Sequence, residues 1–169
     1  MLSGFFLGEA MRRTDREVTD IGIIKDVLDH CQAVTYGLYD GKEPYSVPMS
    51  FGYEMTEDGK MRFYSHCAHE GRRLSILRNG HDRATVSAFC DGKLYLDPVV
   101  VCRSGFSYRS FMGSGRLRIV EDAQEKAHGL KVVFKHYSGI EENFTEEMTE
   151  AVEVLCMELE SFSCKICVK

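Results

Sequence analysis

Apolar positions repeat first with the period of a helix and then, over most of the chain, with that of a strand. Ile23, Ile24, Val27, Leu28 and Cys31 recur at three- and four-residue steps, predicting an amphipathic helix that Thr19 or Asp20 can cap. Ala33 to Tyr39 is rich in β-branched and aromatic residues and ends at the turn pair Asp40-Gly41. In Tyr45 to Glu54, Val47, Met49, Phe51 and Tyr53 alternate with Ser46, Pro48, Ser50 and Gly52, the period of two of a sheet. Asp58-Gly59 leads into a strand from Met61 to His66, and Leu74 and Leu77 mark a short helix over 71–78. Arg83 to Cys90 predicts a strand closed by Asp91-Gly92, with another from Leu94 to Val101. Ser107 to Val120 predicts one long strand, bent or bulged at Gly113 and Gly115. Asp122-x-x-Glu125 opens a second helix with Ala127, Leu130, Phe134 and Tyr137 on one stripe, stopped by Ser138-Gly139. A last strand runs from about Ala151 to Phe162.

Six or seven strands joined mostly by hairpins, with helices at the ends and edges, predict a mainly β fold: a small antiparallel barrel of Greek-key type with added helices. A doubly wound parallel sheet would need a helix after nearly every strand. With three prolines and no repeat or low-complexity tract, the chain reads as an N-terminal arm, residues 1–18, followed by one domain, residues 19–169.

Composition narrows the function. The 44% hydrophobic and 28% charged residues are those of a globular domain. A net charge of −5 argues against a nucleic-acid binder, which carries a basic excess. No run is apolar enough for a membrane helix, and the start lacks the basic leader of a secretory signal. Seven cysteines are an odd number, too sparse for a disulfide scaffold, which predicts a reduced, cytoplasmic protein.

The segment Ser65-His66-Cys67-Ala68-His69-Glu70-Gly71-Arg72-Arg73 carries the most chemistry. A strand ends, a glycine turn follows, and a helix opens on two arginines whose guanidinium groups can bind phosphate oxygens bidentately. The competing reading is a pair of solvated surface arginines.

Four segments together resemble the nitroimidazole-resistance branch of the pyridoxamine 5'-phosphate oxidase-like flavoproteins, the FMN-binding split barrels. They are Met11-Arg12-Arg13-x-Asp15-Arg16-Glu17, Pro44 to Glu54, Ser65 to Arg73, and Tyr108-Arg109-Ser110-Phe111-Met112-Gly113-x-Gly115. The chain departs from the pattern at Ser50, where the family commonly has asparagine, and in carrying two arginines where one is often lysine. The resemblance implies a homodimer with an FMN in each cleft between the subunits. It places Val47, Pro48, Met49, Ser50 and Phe51 beside the flavin ring, their backbone touching the ring heteroatoms. It gives the phosphate and ribityl chain to Ser65, His66, Gly71, Arg72 and Arg73, and lines the cleft with Tyr108, Arg109 and Ser110. If each arginine contributes about 1.5–3 kcal/mol to a phosphate dianion, losing both weakens binding roughly 10²–10⁴-fold. His66 is the candidate catalytic residue, an imidazole able to pass a proton to a reduced substrate.

The resulting expectation is a flavin-dependent reductase of a small molecule, with nitro compounds such as 5-nitroimidazoles the family's association. The alternatives are a non-catalytic flavin- or haem-binding module and a zinc protein. Zinc would draw on Cys164-x-x-Cys167 or on His66, Cys67 and His69. Gly113-Ser114-Gly115 lacks the third glycine and the strand–turn–helix setting of a dinucleotide site and reads as a strand feature.

Overall fold

The computed structural model describes residues 6–7 and 12–169; of the predicted arm, residues 1–5 and 8–11, Met11 among them, lie outside the described residues. The strands are β1 (Phe6–Leu7), β2 (Glu17–Val18), β3 (Val34–Tyr39), β4 (Pro44–Met49), β5 (Gly52–Met55), β6 (Met61–Cys67), β7 (Arg83–Tyr95), β8 (Gly105–Ile119) and β9 (Glu153–Cys167). The helices are α1 (Ile21–Asp29), α2 (Arg72–Arg78), α3 (Ala123–Ser138) and α4 (Glu146–Thr149). Two predicted caps form: Asp20 accepts from the Ile23 N–H at 3.0 Å, and Asp122 from the Glu125 N–H at 2.8 Å.

The sheet runs β4-β3-β7-β8-β9-β6-β5, antiparallel throughout, and β1 (parallel) and β2 (antiparallel) add to β9. Its two edge strands, β4 and β5, are consecutive in the chain with only Ser50 and Phe51 between them. A flat seven-stranded sheet would hold those edges roughly 29 Å apart, whereas the link from Met49 to Gly52 spans at most about 11 Å. The sheet therefore curls until its edges meet, giving the mainly β split barrel the pattern predicted.

Burial follows the alternation. Met61, Phe63, Ser65 and Cys67 point into the barrel from β6, and Tyr36, Phe51, Phe111, Leu117 and Met157 join them in the main core. Ile24, Val27 and Leu28 of α1 and Leu74 and Ile76 of α2 complete that core. A smaller core of Tyr64, Val120, Leu130, Val133, Val154 and Cys156 seats α3 on the outer face of β6 and β9. Gly52 and Gly129 allow that close approach: a Cβ at Gly52 would meet the Val132 carbonyl oxygen at 2.4 Å, and one at Gly129 the Tyr64 ring at 2.7 Å.

Three boundaries differ from the expectation. Asp91-Gly92 is a bulge, not a hairpin turn. Cys90 opposes Arg109 and Lys93 opposes Ser107, so two residues face Tyr108 alone, and β7 continues to Tyr95. The predicted strand Leu94–Val101 is consequently lost. Past Tyr95 the chain loops, with the Asp97 carboxylate accepting from the Val99 and Val100 N–H groups. The predicted strand Tyr45–Glu54 breaks at the barrel corner, although Met49 and Phe51 both stay buried across it. The last strand runs on to Cys167, paired with β8 along its length.

Candidate functional site

α3 divides two cavities on the outside of the barrel. On one side, Ser50, His66, Leu130, Val133, Phe134, Tyr137, Phe144, Met148 and Val152 line an apolar cleft of about 400 Å³. On the other side a polar cavity of about 560 Å³ is faced by Lys25, Tyr53, His128, Lys131, Lys135 and His136. Ser50 reaches the cleft because it sits at the barrel corner. His66 reaches it because it is an outward, exposed position of β6. The structure thus brings together two predicted site residues 16 apart in sequence.

The corner itself is held by α3. The Phe51 N–H donates to the Tyr137 hydroxyl at 3.1 Å, and that hydroxyl donates to the Gln32 carbonyl at 2.7 Å. Beside it, the His136 ring packs 4.3 Å from the Phe51 ring, with Nε2 at 3.0 Å from the Cys31 carbonyl oxygen. The N–H of Phe51 is therefore engaged within the protein, which removes it from the set of backbone groups expected to touch a flavin ring. The Phe51 and Met49 side chains lie in the core and Val47 packs against it, whereas Pro48 and Ser50 are exposed.

β4 offers its backbone on a free edge. The Asp40 N–H to Glu43 carbonyl bond sets the alternation in the β3–β4 ladder. It turns the Ser46 N–H and the carbonyls of Pro44, Ser46 and Pro48 away from β3. Both prolines occupy positions where no donor is required.

Ser65 lies elsewhere. It is fully buried inside the barrel, 3.1 Å from the Tyr36 hydroxyl, so its hydroxyl is not presented to a ligand on the surface. The two arginines differ as well. Arg72 bonds Asp40 at 2.9 Å, ion-pairs with Glu43 at 3.0 Å, and lies 5.0 Å from the centre of the Tyr45 ring. Two backbone N–H groups and Arg72, the Glu43 N–H foremost, hold the Asp40 carboxyl down to about 2. Arg73 has no such partner. Its Nε is, among the described residues, the buried side-chain nitrogen that no group accepts from. Gly71 precedes the pair at φ +137°, a conformation reserved for glycine, with open space where a side chain would stand.

The segment Tyr108-Arg109-Ser110 divides by strand alternation. Ser110 faces outward with Thr35, Ser87, Phe89 and Met112 along a second groove of about 400 Å³, and the Tyr108 ring lies 6.2 Å from that of Phe89. Arg109 points the other way and binds Asp26 and Asp91, joining α1 to the β7 bulge. Burial opposes its charge, but these bonds outweigh burial and raise its pKa. Arg109 thus belongs to a structural ion network, not to the groove of its neighbours.

The zinc readings fail on the same geometry. Three residues apart on a strand, Cys164 and Cys167 project to opposite faces of β9, as do the adjacent His66 and Cys67 on β6. His69 Nδ1 lies 3.3 Å from Glu153. Among the described residues, no group of three or more His, Cys, Asp or Glu could hold a metal ion.

Sequence reasoning missed most of the cleft wall. Leu130, Phe134 and Tyr137 are legible as a helical stripe, but a stripe of that period marks a packing face and carries no sign of a ligand site. Phe144 and Met148 are isolated apolar residues in an acidic segment and gave no periodic signal. Thr35 and Ser87, which share the groove with Ser110, become neighbours only through the β3–β7–β8 pairing.

Residues 23–166 match the family model described as pyridoxamine 5'-phosphate oxidase. The chain belongs to that family. No curated protein matches it. Among solved structures of similar fold is a candidate 5-nitroimidazole antibiotic resistance protein from Bacteroides thetaiotaomicron. It is 24% identical, with a TM-score of 0.72 over 89% of this chain and 86% of that one. An FAD and heme binding protein from Mycobacterium smegmatis is 20% identical, with a TM-score of 0.73 over 91% and 74% of the two chains. A flavocytochrome from Azotobacter vinelandii is also 20% identical, with a TM-score of 0.72 over 95% and 73%. At these identities the structures establish the fold shared across the pyridoxamine 5'-phosphate oxidase family.

The family resemblance implies a flavin phosphate, and one residue pattern here fits it. A buried guanidinium N–H without an acceptor costs about 1–3 kcal/mol in the ligand-free chain and is offset when an anion accepts from it. Arg73 therefore fits as the phosphate's principal partner; Arg72, already neutralised by two carboxylates, fits less well.

Proposed function

We propose that this chain binds FMN in a cleft completed by a second copy of itself and acts as a cytoplasmic reductase of a small molecule, nitro compounds such as 5-nitroimidazoles included. The unpaired Nε of Arg73 carries the reading. When bound, the flavin supplies hydride or electron transfer at its N5. Arg73 neutralises the phosphate, Gly71 leaves room for it, and the free edge of β4 offers one donor and three acceptors to a heteroatom-rich ring. Ser50 adds a hydroxyl at the same corner. His66 faces the apolar cleft, where an imidazole can donate a proton to a substrate that has gained electrons.

Outward Ser110 and Tyr108, with exposed Phe89, Phe106 and Met112, form the surface that a second copy would cover. Six buried free cysteines support a reducing compartment, and among the described residues no helix is long and apolar enough to cross a membrane.

Purified protein should be yellow, and Arg73→Ala should weaken FMN binding about 10–100-fold, Arg72→Ala several-fold at most. FMN affinity unchanged in Arg73→Ala would overturn the site. A His66→Gln enzyme whose pH–rate profile matches the parent would remove His66 as proton donor. A haem-binding module is the second reading, favoured by the two relatives named for heme or as a flavocytochrome. A Soret band in place of flavin bands would establish it.

A further inference from the structure

The cleft over His66 is selective by what its wall omits. Six of its nine lining residues are apolar, and a seventh is Tyr137, whose hydroxyl is bonded to the Phe51 N–H and the Gln32 carbonyl. The other two are Ser50 and His66, and no Lys, Arg, Asp or Glu is among them. The three lysines of α3 and Arg78 are paired with carboxylates away from the cleft wall. Lys126 and Arg78 reach Glu153 at 3.2 and 3.6 Å, and Lys131 and Lys135 reach Glu141 at 3.7 and 2.5 Å. α3 explains the separation: Leu130, Val133, Phe134 and Tyr137 form its stripe toward the cleft, while Lys131 and Lys135 face the polar cavity on its other side. The volume, about 400 Å³, lies at the small end of ligand pockets and suits one or two fused rings.

We infer that this cleft binds an uncharged, largely apolar ring compound, with its hydrogen-bonding end toward Ser50 and His66, and rejects phosphorylated compounds. A phosphate dianion brought here would lose its water with no lysine or arginine in the wall to replace it, His66 being the one lining side chain that can take up a proton. The family's description names a phosphorylated amine; the walls of this cleft do not suit one. The inference names the substrate class of the reductase proposed above. It rests on that reading for the reaction, though not for the binding itself.

A matched pair of probes tests it. 1-Naphthol and 1-naphthyl phosphate share one ring system and differ in charge, and each is titrated calorimetrically into the full chain with and without added FMN. Naphthol should bind at least tenfold more tightly, about 1.4 kcal/mol. Phe134→Lys places a cation at a half-exposed position of the wall. It should weaken naphthol at least fivefold and bring the two affinities together or reverse them, with circular dichroism confirming the fold.

Equal or tighter binding of the phosphate by the parent would overturn the inference. So would naphthol binding indifferent to Phe134→Lys, which would place the ring elsewhere. Loss of naphthol binding once FMN is bound would make the cleft the flavin ring's own seat and would also overturn it. Failure of the flavin reading is seen separately, as no FMN uptake by absorbance, and leaves the comparison of the two probes intact.

Discussion

The hydroxyl of Tyr137 is one atom asked to hold two distant parts of the chain, and removing it gives a calculable loss. Tyr137→Phe keeps the ring in the cleft wall but deletes the acceptor for the Phe51 N–H and the donor to the Gln32 carbonyl. The two losses are unequal. Phe51 is fully buried, so its orphaned N–H carries a penalty of about 1–3 kcal/mol. Gln32 is exposed, so water can replace the donor to its carbonyl at a cost of roughly 0–0.5 kcal/mol. The sum, about 1–3.5 kcal/mol, should appear in urea unfolding as a midpoint lowered by roughly 0.5–1.8 M, taking a slope near 2 kcal/mol/M. Hydrogen exchange supplies the local readout: the Phe51 amide should lose protection while amides in the middle of β8 keep theirs. A midpoint within about 0.25 M of the parent, or an unchanged Phe51 amide, would show that the corner does not depend on this hydroxyl.

Two further outcomes follow from titration and burial. Asp40 and Asp15 are both held down to about 2 in the folded chain, Asp40 chiefly by the Glu43 N–H and Arg72, Asp15 chiefly by Arg13. A depressed carboxyl stabilises above its ordinary value near 3.8 and loses that contribution as pH falls through the folded value. The melting temperature should therefore drop between about pH 4 and pH 2, and Asp40→Asn, less stable than the parent at pH 7, should show a shallower drop; an equally steep drop would count against it. Of the seven cysteines Cys102 alone is exposed, and burial pushes the thiols of Cys31 up to about 12 and of Cys156 and Cys164 up to about 11. A thiol reagent at pH 8 should label one cysteine quickly and the rest only on unfolding, and two or more fast thiols in the native protein would contradict this burial.

What was legible in the sequence was what alternation and caps determine locally. The helix at Ile21–Asp29, the capped start of α3, the αL stop at Gly139 and the long strand β8 all follow from periods and single-residue rules. The errors share a cause, which is that pairing partners decide what a local signal means. Asp91-Gly92 is turn chemistry, yet β8 goes on pairing past it and converts the turn into a bulge, with Asp91 at φ +54°. Ser163 to Cys167 has weak strand propensity, yet it pairs β8 from Met112 to Tyr108. At the site, adjacency in sequence misled in the same way. Ser65 and His66, and Arg109 and Ser110, are neighbours along a strand and therefore face opposite sides of it. Arg72 and Arg73 are neighbours on a helix whose successive side chains diverge by about 100°. One meets Asp40 and Glu43, the other keeps a buried Nε that no group accepts from.

The cleft is a consequence of how the barrel closes. Joining the two edge strands through only Ser50 and Phe51 leaves a seam where the ladder bonds stop, and a buried N–H at the seam must find an acceptor off the sheet. Tyr137 supplies that acceptor, which requires α3 to lie across the seam. Gly52 and Gly129 permit the approach by having no side chain to obstruct it. With α3 in place, the apolar stripe that does not reach the core overhangs β6, and the outward residue beneath it is His66. The group best suited to move a proton thus sits under an apolar roof because the sheet had to close there. A second family member that closes its sheet with a longer link would need neither the tyrosine nor the overhang.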